Sequence, residues 1–174
     1  ILLGLGGSAT NDGGCGCAAA LGTRFLDAAG QAFVPVGGTL DRIAHIDLTE
    51  TRQLLAGVKI TVMCDVENPL CGPNGAAWVF GPQKGADDDM AARLDDGLRH
   101  LDGVLQRDLG LRLADLPGAG AAGGMGAGII AFLNGTLSSG IEAVLDAVDF
   151  DRQLDGADLV ITGEGRIDAQ SVQG

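Results

Sequence analysis

The chain has 174 residues, 46% of them apolar and 20% charged, which is ordinary for a globular protein, but only 3% are aromatic and 30 are glycine. Its core must therefore be built from Ala, Val, Ile and Leu. The formal charge of -12, from 11 basic against 23 acidic residues, repels polyanions and argues against a nucleic-acid or anionic membrane partner, so any phosphate ligand has to be held locally. In chain order, "ILLGL" (1–5) reads as a buried strand and the small-residue run Cys15 to Gly22 as a short helix closed by its glycine. Residues 24–36 predict two strands joined by a hairpin turn at Ala28 to Gln31. "TLDRIAHIDL" (39–48) has no decided period. "VKITVMCDV" (58–66) is the clearest strand, β-branched and ending at Asp65.

The next stretch, 67–85, is dense in Pro, Gly and Asn and predicts a loop with one helical turn at Ala76 to Phe80. From Asp87 to Leu109, Met90, Leu94, Leu98, Leu101, Leu105 and Leu109 recur at helical spacing. Asp87 to Asp89 stand where a cap and first-turn acids belong, and Gly110 where a terminating glycine belongs, which explains the acid run without a metal. A second glycine-rich stretch, Pro117 to Gly128, leads into the helix start "IIAFL"; "SGIEAVLDAV" predicts a further helix, and Ala157 to Thr162 a buried strand. Strand, small-residue loop and helix recur, so the predicted class is α/β with a mixed sheet.

The four cysteines, Cys15, Cys17, Cys64 and Cys71, have no C-x-x-C spacing and only two histidines to help them, so they read as reduced apolar fillers of a cytoplasmic protein and not as a zinc site. No apolar run reaches membrane-spanning length. The chain opens in a strand without Met and stops at "SVQG", which predicts a piece of a longer protein.

Gly4, Gly6 and Ala9, with Asp27 further on, fit a dinucleotide-binding pattern, and Gly118, Gly120 and Gly123 fit a second. With 30 glycines in the chain, about one such triplet arises by chance, so neither carries a function alone. No P-loop, nucleophile elbow or zincin motif is present. What remains are polar residues at strand ends and in glycine loops: Ser8, Thr10, Asn11 and Asp12; Asp65 and Asn68; Gln83 and Lys84; Glu164, Arg166 and Asp168. These supply hard oxygen ligands for Mg²⁺ and peptide N–H groups and cations for a phosphate. Asp65 and Asp168 would equally serve as local Asx turns, Glu164 as a partner for Arg166, and Lys59 reads as a solvated strand-entry residue. Lys84, between Pro82 and Gly85, sits on restricted backbone, as a phosphate contact requires.

"GLGGSATNDGG", "CDVENPLCGPNGAAWVFGPQKGA", "PGAGAAGGMGAG" and "VITGEGRIDAQS", in unbroken order, resemble the bacterial glycerate kinase family, which phosphorylates D-glycerate with ATP in glyoxylate and sugar-acid catabolism. The resemblance implies a two-domain α/β chain about twice this length, with residues 1–157 as the middle domain and 158–174 re-entering a discontinuous first domain. It implies ATP and Mg²⁺, a small hydroxy-acid substrate, and a cytoplasmic enzyme with a homodimer as the protein partner considered. On that basis Asp65, Lys84, Arg166 and Asp168 are the candidate catalytic residues, and Gly6, Gly7, Ser8, Thr10, Asn11, Gly120, Gly123 and Gly124 the candidate nucleotide cradle. Asp12, Asp65 and Glu164 are the candidate metal ligands. 2-Phosphoglycerate is the favoured product, and the piece alone is expected to be inactive. The rival readings are a dinucleotide-dependent oxidoreductase and a non-catalytic half of a kinase.

Overall fold

The computed structural model describes residues 1–161 and 163; Glu164, Arg166 and Asp168, and the nominations made for them, lie outside the described residues. Two small sheets form the frame. The first is parallel, with β5 (Thr61–Met63) between β1 (Leu2–Gly4) and β6 (Thr136–Ser138). Gly4 pairs with Met63 and Met63 with Ser138, so the three strands finish level and their following loops leave from one edge. The second is antiparallel, with β2 (Arg24–Leu26) between β3 (Ala32–Phe33) and β4 (His45–Asp47). The mixed α/β class follows, as the alternating sequence pattern predicts.

The β2–β3 hairpin turns where expected. Asp27 accepts the amides of Ala29 and Gln31 at 2.9 and 3.0 Å, and Gly30 takes the left-handed conformation at φ +76° that the turn needs. The helices are α1 (Cys15–Ala20), α2 (Thr49–Leu54), α3 (Ala76–Phe80), α4 (Asp88–Leu109), α5 (Ala121–Leu133), α6 (Gly140–Ala147) and α7 (Phe150–Leu154), with 3₁₀ turns at Gly37–Arg42 and Pro82–Lys84. Both ends of α4 match their sequence signals. Asp87 Oδ1 accepts the Met90 amide at 2.8 Å, and Gly110 closes the helix at φ +71°.

The core lies between the sheets and the two long helices. Leu98, Leu101 and Leu105 of α4, Ile129 and Phe132 of α5, Phe25 of β2 and Val62 of β5 are all buried, and the Phe25 and Phe132 rings meet edge to face at 5.4 Å. Two carboxylates on the inner face of α4 tie loops to it. Asp95 accepts the Gly72 amide at 2.7 Å and pairs with Arg99 at 2.8 Å, while Asp102 accepts the Leu113 amide at 2.7 Å. Each buried charge is thus paired or hydrogen-bonded, as burial demands.

Four expectations are corrected. The opening strand is a sheet edge and not a buried one: Ile1 and Leu2 are 71% and 48% exposed, because β1 has a partner on one side only among the described residues. Residues 157–161 form no strand, and Leu159 and Ile161 are 77% and 87% exposed, since an apolar run pairs only where a neighbouring strand is offered. The helix predicted to begin at "IIAFL" already starts at Ala121, inside the second glycine stretch, with left-handed residues at 122–124. Cys17 is exposed, so it fills no core; Cys15 and Cys71 do, and burial pushes the Cys71 thiol up to about 12. No helix among the described residues is long and apolar enough to cross a membrane.

Candidate functional site

Ligands of parallel sheets collect beyond the carboxyl ends of the strands, and the polar loops gather there. Beyond β1 the chain runs through Gly6, Gly7 and Ser8 to Thr10, Asn11 and Asp12 before α1 begins. Both Asp12 oxygens are engaged at that helix start, accepting the amides of Gly14 and Gly16 at 3.0 Å each. This fixes the loop's exit and leaves Asp12 a poorer metal donor. Beyond β5, Asp65 Oδ1 accepts the Gly140 amide at 2.7 Å, capping the first turn of α6 across the sheet edge. Its carboxyl group is exposed.

Lys84 joins the loops. The stiff Gly81-Pro82 turn and Gly85, at φ +95°, hold it so that its Nζ donates to Ser8 Oγ at 3.1 Å and to the Thr10 carbonyl at 2.6 Å. Desolvation holds the Lys84 ammonium below the usual lysine range, and the Asp12 charge opposes that shift. The side chain lines two hollows. The larger, about 450 Å³, lies among Thr10 to Asp12, Gly37, Gly38, Met90, Arg93 and Leu94. The smaller, about 120 Å³, lies among Gly6 to Ser8, Gln83, Ala121 and Ala122. At the large hollow the Asn11 side-chain amide is buried with neither its oxygen nor its nitrogen paired among the described residues, a condition that costs about 1–3 kcal/mol until something satisfies it.

The sequence nominations therefore divide. Gly6, Gly7, Ser8, Thr10, Asn11, Asp12 and Lys84 converge around the two hollows. Asp65 shares the sheet edge but lines neither. Gly120, Gly123 and Gly124 line neither hollow: they are buried, and a Cβ at any of them would stand within 3.0 Å of a neighbour, the Pro69 carbonyl for Gly120, the Thr10 carbonyl for Gly123 and Gly13 for Gly124. Their bareness serves backbone packing, the Gly13 amide donating to the Gly123 carbonyl at 3.0 Å.

Residues that the sequence did not flag are Gly37, Gly38 and Arg93, together with Met90 and Leu94, which the periodic stripe assigned to the core. Met90 is 52% exposed. The only available signal was that the stripe's first turn stands beside the Lys84 loop.

The oxidoreductase reading loses its acid, since Asp27 is held in the hairpin turn with Arg42 at 3.8 Å, and no helix follows Ala9 directly. Among the described residues no three His, Cys, Asp or Glu side chains converge. Of the two carboxylates nominated for a metal that lie among the described residues, Asp65 is exposed with only Oδ1 hydrogen-bonded, whereas both Asp12 oxygens are engaged.

A model of the glycerate kinase family matches residues 1–174. The chain belongs to the glycerate kinase family. Among curated relatives it is 53% identical to a glycerate kinase of Bacillus cereus and 49% identical to a glycerate 2-kinase of Escherichia coli K12, in each case over the whole of this chain and 46% of the relative. A solved crystal structure described as a glycerate kinase 2 from Salmonella typhimurium LT2 superimposes with a TM-score of 0.90 at 50% identity, again over all of this chain and 46% of that one. The chain thus spans about half the length of the family members it matches.

Proposed function

We propose that the protein carrying this chain transfers the terminal phosphoryl group of ATP to D-glycerate, with 2-phosphoglycerate as the product. One observation carries the reading: an ammonium fixed by two hydrogen bonds, between two hollows, where the polar loops of a parallel sheet meet in a member of this family. Phosphoryl transfer asks a protein chiefly to position reactants and to neutralise charge. Lys84 meets the transferring group, the Gly6–Gly7–Ser8 peptide N–H groups cradle its oxygens, and Asp65 orients Mg²⁺ or accepts the proton of the glycerate hydroxyl. Bound Mg²⁺ would supply charge neutralisation between the phosphates.

Arg166, Asp168 and Glu164 complete the set as carboxylate clamp, alternative base and metal ligand. Residues 1–157 form the middle domain and 158–174 the return into the other one. The exposed apolar run at 159–161 supports a boundary there, because such residues ordinarily find a partner. This chain by itself is inactive, lacking one wall of the cleft. The full protein acts in the cytoplasm, in glyoxylate catabolism.

The test is an assay of full-length protein with Mg-ATP and D-glycerate, coupled directly through enolase. Enolase consumes 2-phosphoglycerate, so a signal without added mutase supports the reading. Signal only after a mutase is added moves the phosphate to the other hydroxyl, and no phosphoglycerate by either route refutes it.

A further inference from the structure

The two hollows that meet at Lys84 differ in size and in lining. The larger, about 450 Å³, has aliphatic walls at Val36, Met90 and Leu94, with Thr10, Asn11, Asp12, Lys84 and Arg93 as its polar lining residues. The smaller, about 120 Å³, is walled on one side by the Gly6–Gly7–Ser8 backbone. A Cβ at Gly6 or Gly7 would meet nothing within 4 Å, so an anion can approach that peptide closely.

A hydroxy acid of about seven non-hydrogen atoms, with an oxygen on every carbon, is too small and too polar for the larger space. A flat base on a sugar matches it, since nucleoside-sized ligands occupy apolar pockets of roughly 300–1,000 Å³ with a few placed polar groups. Asn11 lines the hollow, and its side-chain amide, buried and without a partner among the described residues, carries a donor and an acceptor side by side, the pattern that reads the 6-amino edge of adenine. Arg93 is exposed at the rim, with a planar group able to lie on a base face.

We propose that the larger hollow binds the nucleoside end of the nucleotide and that the phosphate chain passes Lys84 into the smaller one, where the acid meets the terminal phosphoryl. The assignment rests on the kinase reading above and adds which space holds which ligand.

Direct binding to the full-length protein, without glycerate, tests it separately from turnover. Met90→Trp fills the larger hollow and should weaken ATP binding at least tenfold, leaving tripolyphosphate binding and the KM for D-glycerate within twofold. Asn11→Leu should cut the preference for ATP over GTP at least fivefold. Arg93→Ala, at an exposed site that the fold does not need, should weaken ATP at least threefold with an unchanged unfolding midpoint. A tenfold rise in the glycerate KM of Met90→Trp with unchanged ATP binding would overturn the assignment, as would equal weakening of ATP and tripolyphosphate by Met90→Trp and Arg93→Ala. In either case the wild-type protein would remain a kinase. Absence of phosphoglycerate from the wild type would instead strike the reading beneath, while ATP binding still reported on the hollow.

Discussion

Two glycine-rich stretches look alike on paper and do opposite things. In Gly4–Gly14 the first glycines face open space: nothing stands within 4 Å of a Cβ placed on Gly6 or Gly7, and both line the small hollow. In Pro117–Gly128 the glycines are packed against other backbone, Gly120 under Pro69, Gly123 under Thr10, Gly126 under Gly118 and Gly128 under Gly13. Gly6 and Gly7 leave open space beside the backbone, whereas the second stretch is bare so that backbone can close on backbone, at Gly123 and Gly128 against the first stretch itself. A shared composition therefore says that backbone approaches something, and only the fold says what.

The comparison is broken most directly at Gly123. Its φ of +74° and the Thr10 carbonyl against it leave no room for a methyl group. Gly123→Ala should lower unfolding stability by at least about 3 kcal/mol, read from denaturant midpoints, and a variant of wild-type stability would end the packing account. On the ligand side, Lys84→Met in the full-length protein should lower kcat/KM at least about tenfold, roughly 1.4 kcal/mol, while retaining the fold. Because desolvation holds the ammonium below the usual lysine range, wild-type affinity for Mg-ATP should begin to fall with rising pH earlier than an exposed lysine would allow, and Lys84→Met should remove that limb.

Asp65→Asn keeps an oxygen for the Gly140 amide and so should leave thermal unfolding unchanged while also reducing kcat/KM about tenfold. A normal rate would reduce Asp65 to a cap. Gly6→Ala is the quiet counterpart of Gly123→Ala: stability should move by no more than about 0.5 kcal/mol, while kcat/KM falls about threefold as a methyl group enters the anion's path.

The smallest effect concerns acid. The Arg107 guanidinium, followed by the Ile46 amide at 3.0 Å, holds the Asp108 carboxyl below the usual range, with His45 at 3.6 Å adding to the pull. A depressed folded value gives stability that is present above the unfolded pKa and is lost as pH falls through the folded one. Urea midpoints should therefore drop less steeply on acidification in Asp108→Asn than in the wild type.

Much of this was legible where the signal is local. The α4 stripe and both its caps, the hairpin turn around Asp27, the end of β5 at Asp65 and the stiffness around Lys84 are each written in a few adjacent residues. β4, β6, α2 and α7 run to six residues or fewer and, unlike the equally short β5 or the β2–β3 hairpin, carry no β-branched run or turn signal of their own to announce them. Tertiary pairing creates them. The same limit governs the site. Ser8, Asn11 and Lys84 stood out because small polar or cationic residues among glycines are locally odd, whereas Arg93 and Met90 look like any exposed cation and any stripe member. Their neighbours across the hollow, Gly37 and Gly38, lie more than fifty residues away, so nothing nearby in the chain announces them.

Helix α4 spans 22 residues, about 33 Å at 1.5 Å per residue. At one tip Met90 and Leu94 form a pocket wall, and at the other Asp108 grips Ile46 in the antiparallel sheet. A beam clamped at its far end transmits the stiffness of its mounting. The antiparallel sheet, which borders neither hollow at Lys84, is thereby tied through one rigid element to that wall, and damage to it should loosen Met90 and Leu94 from a distance.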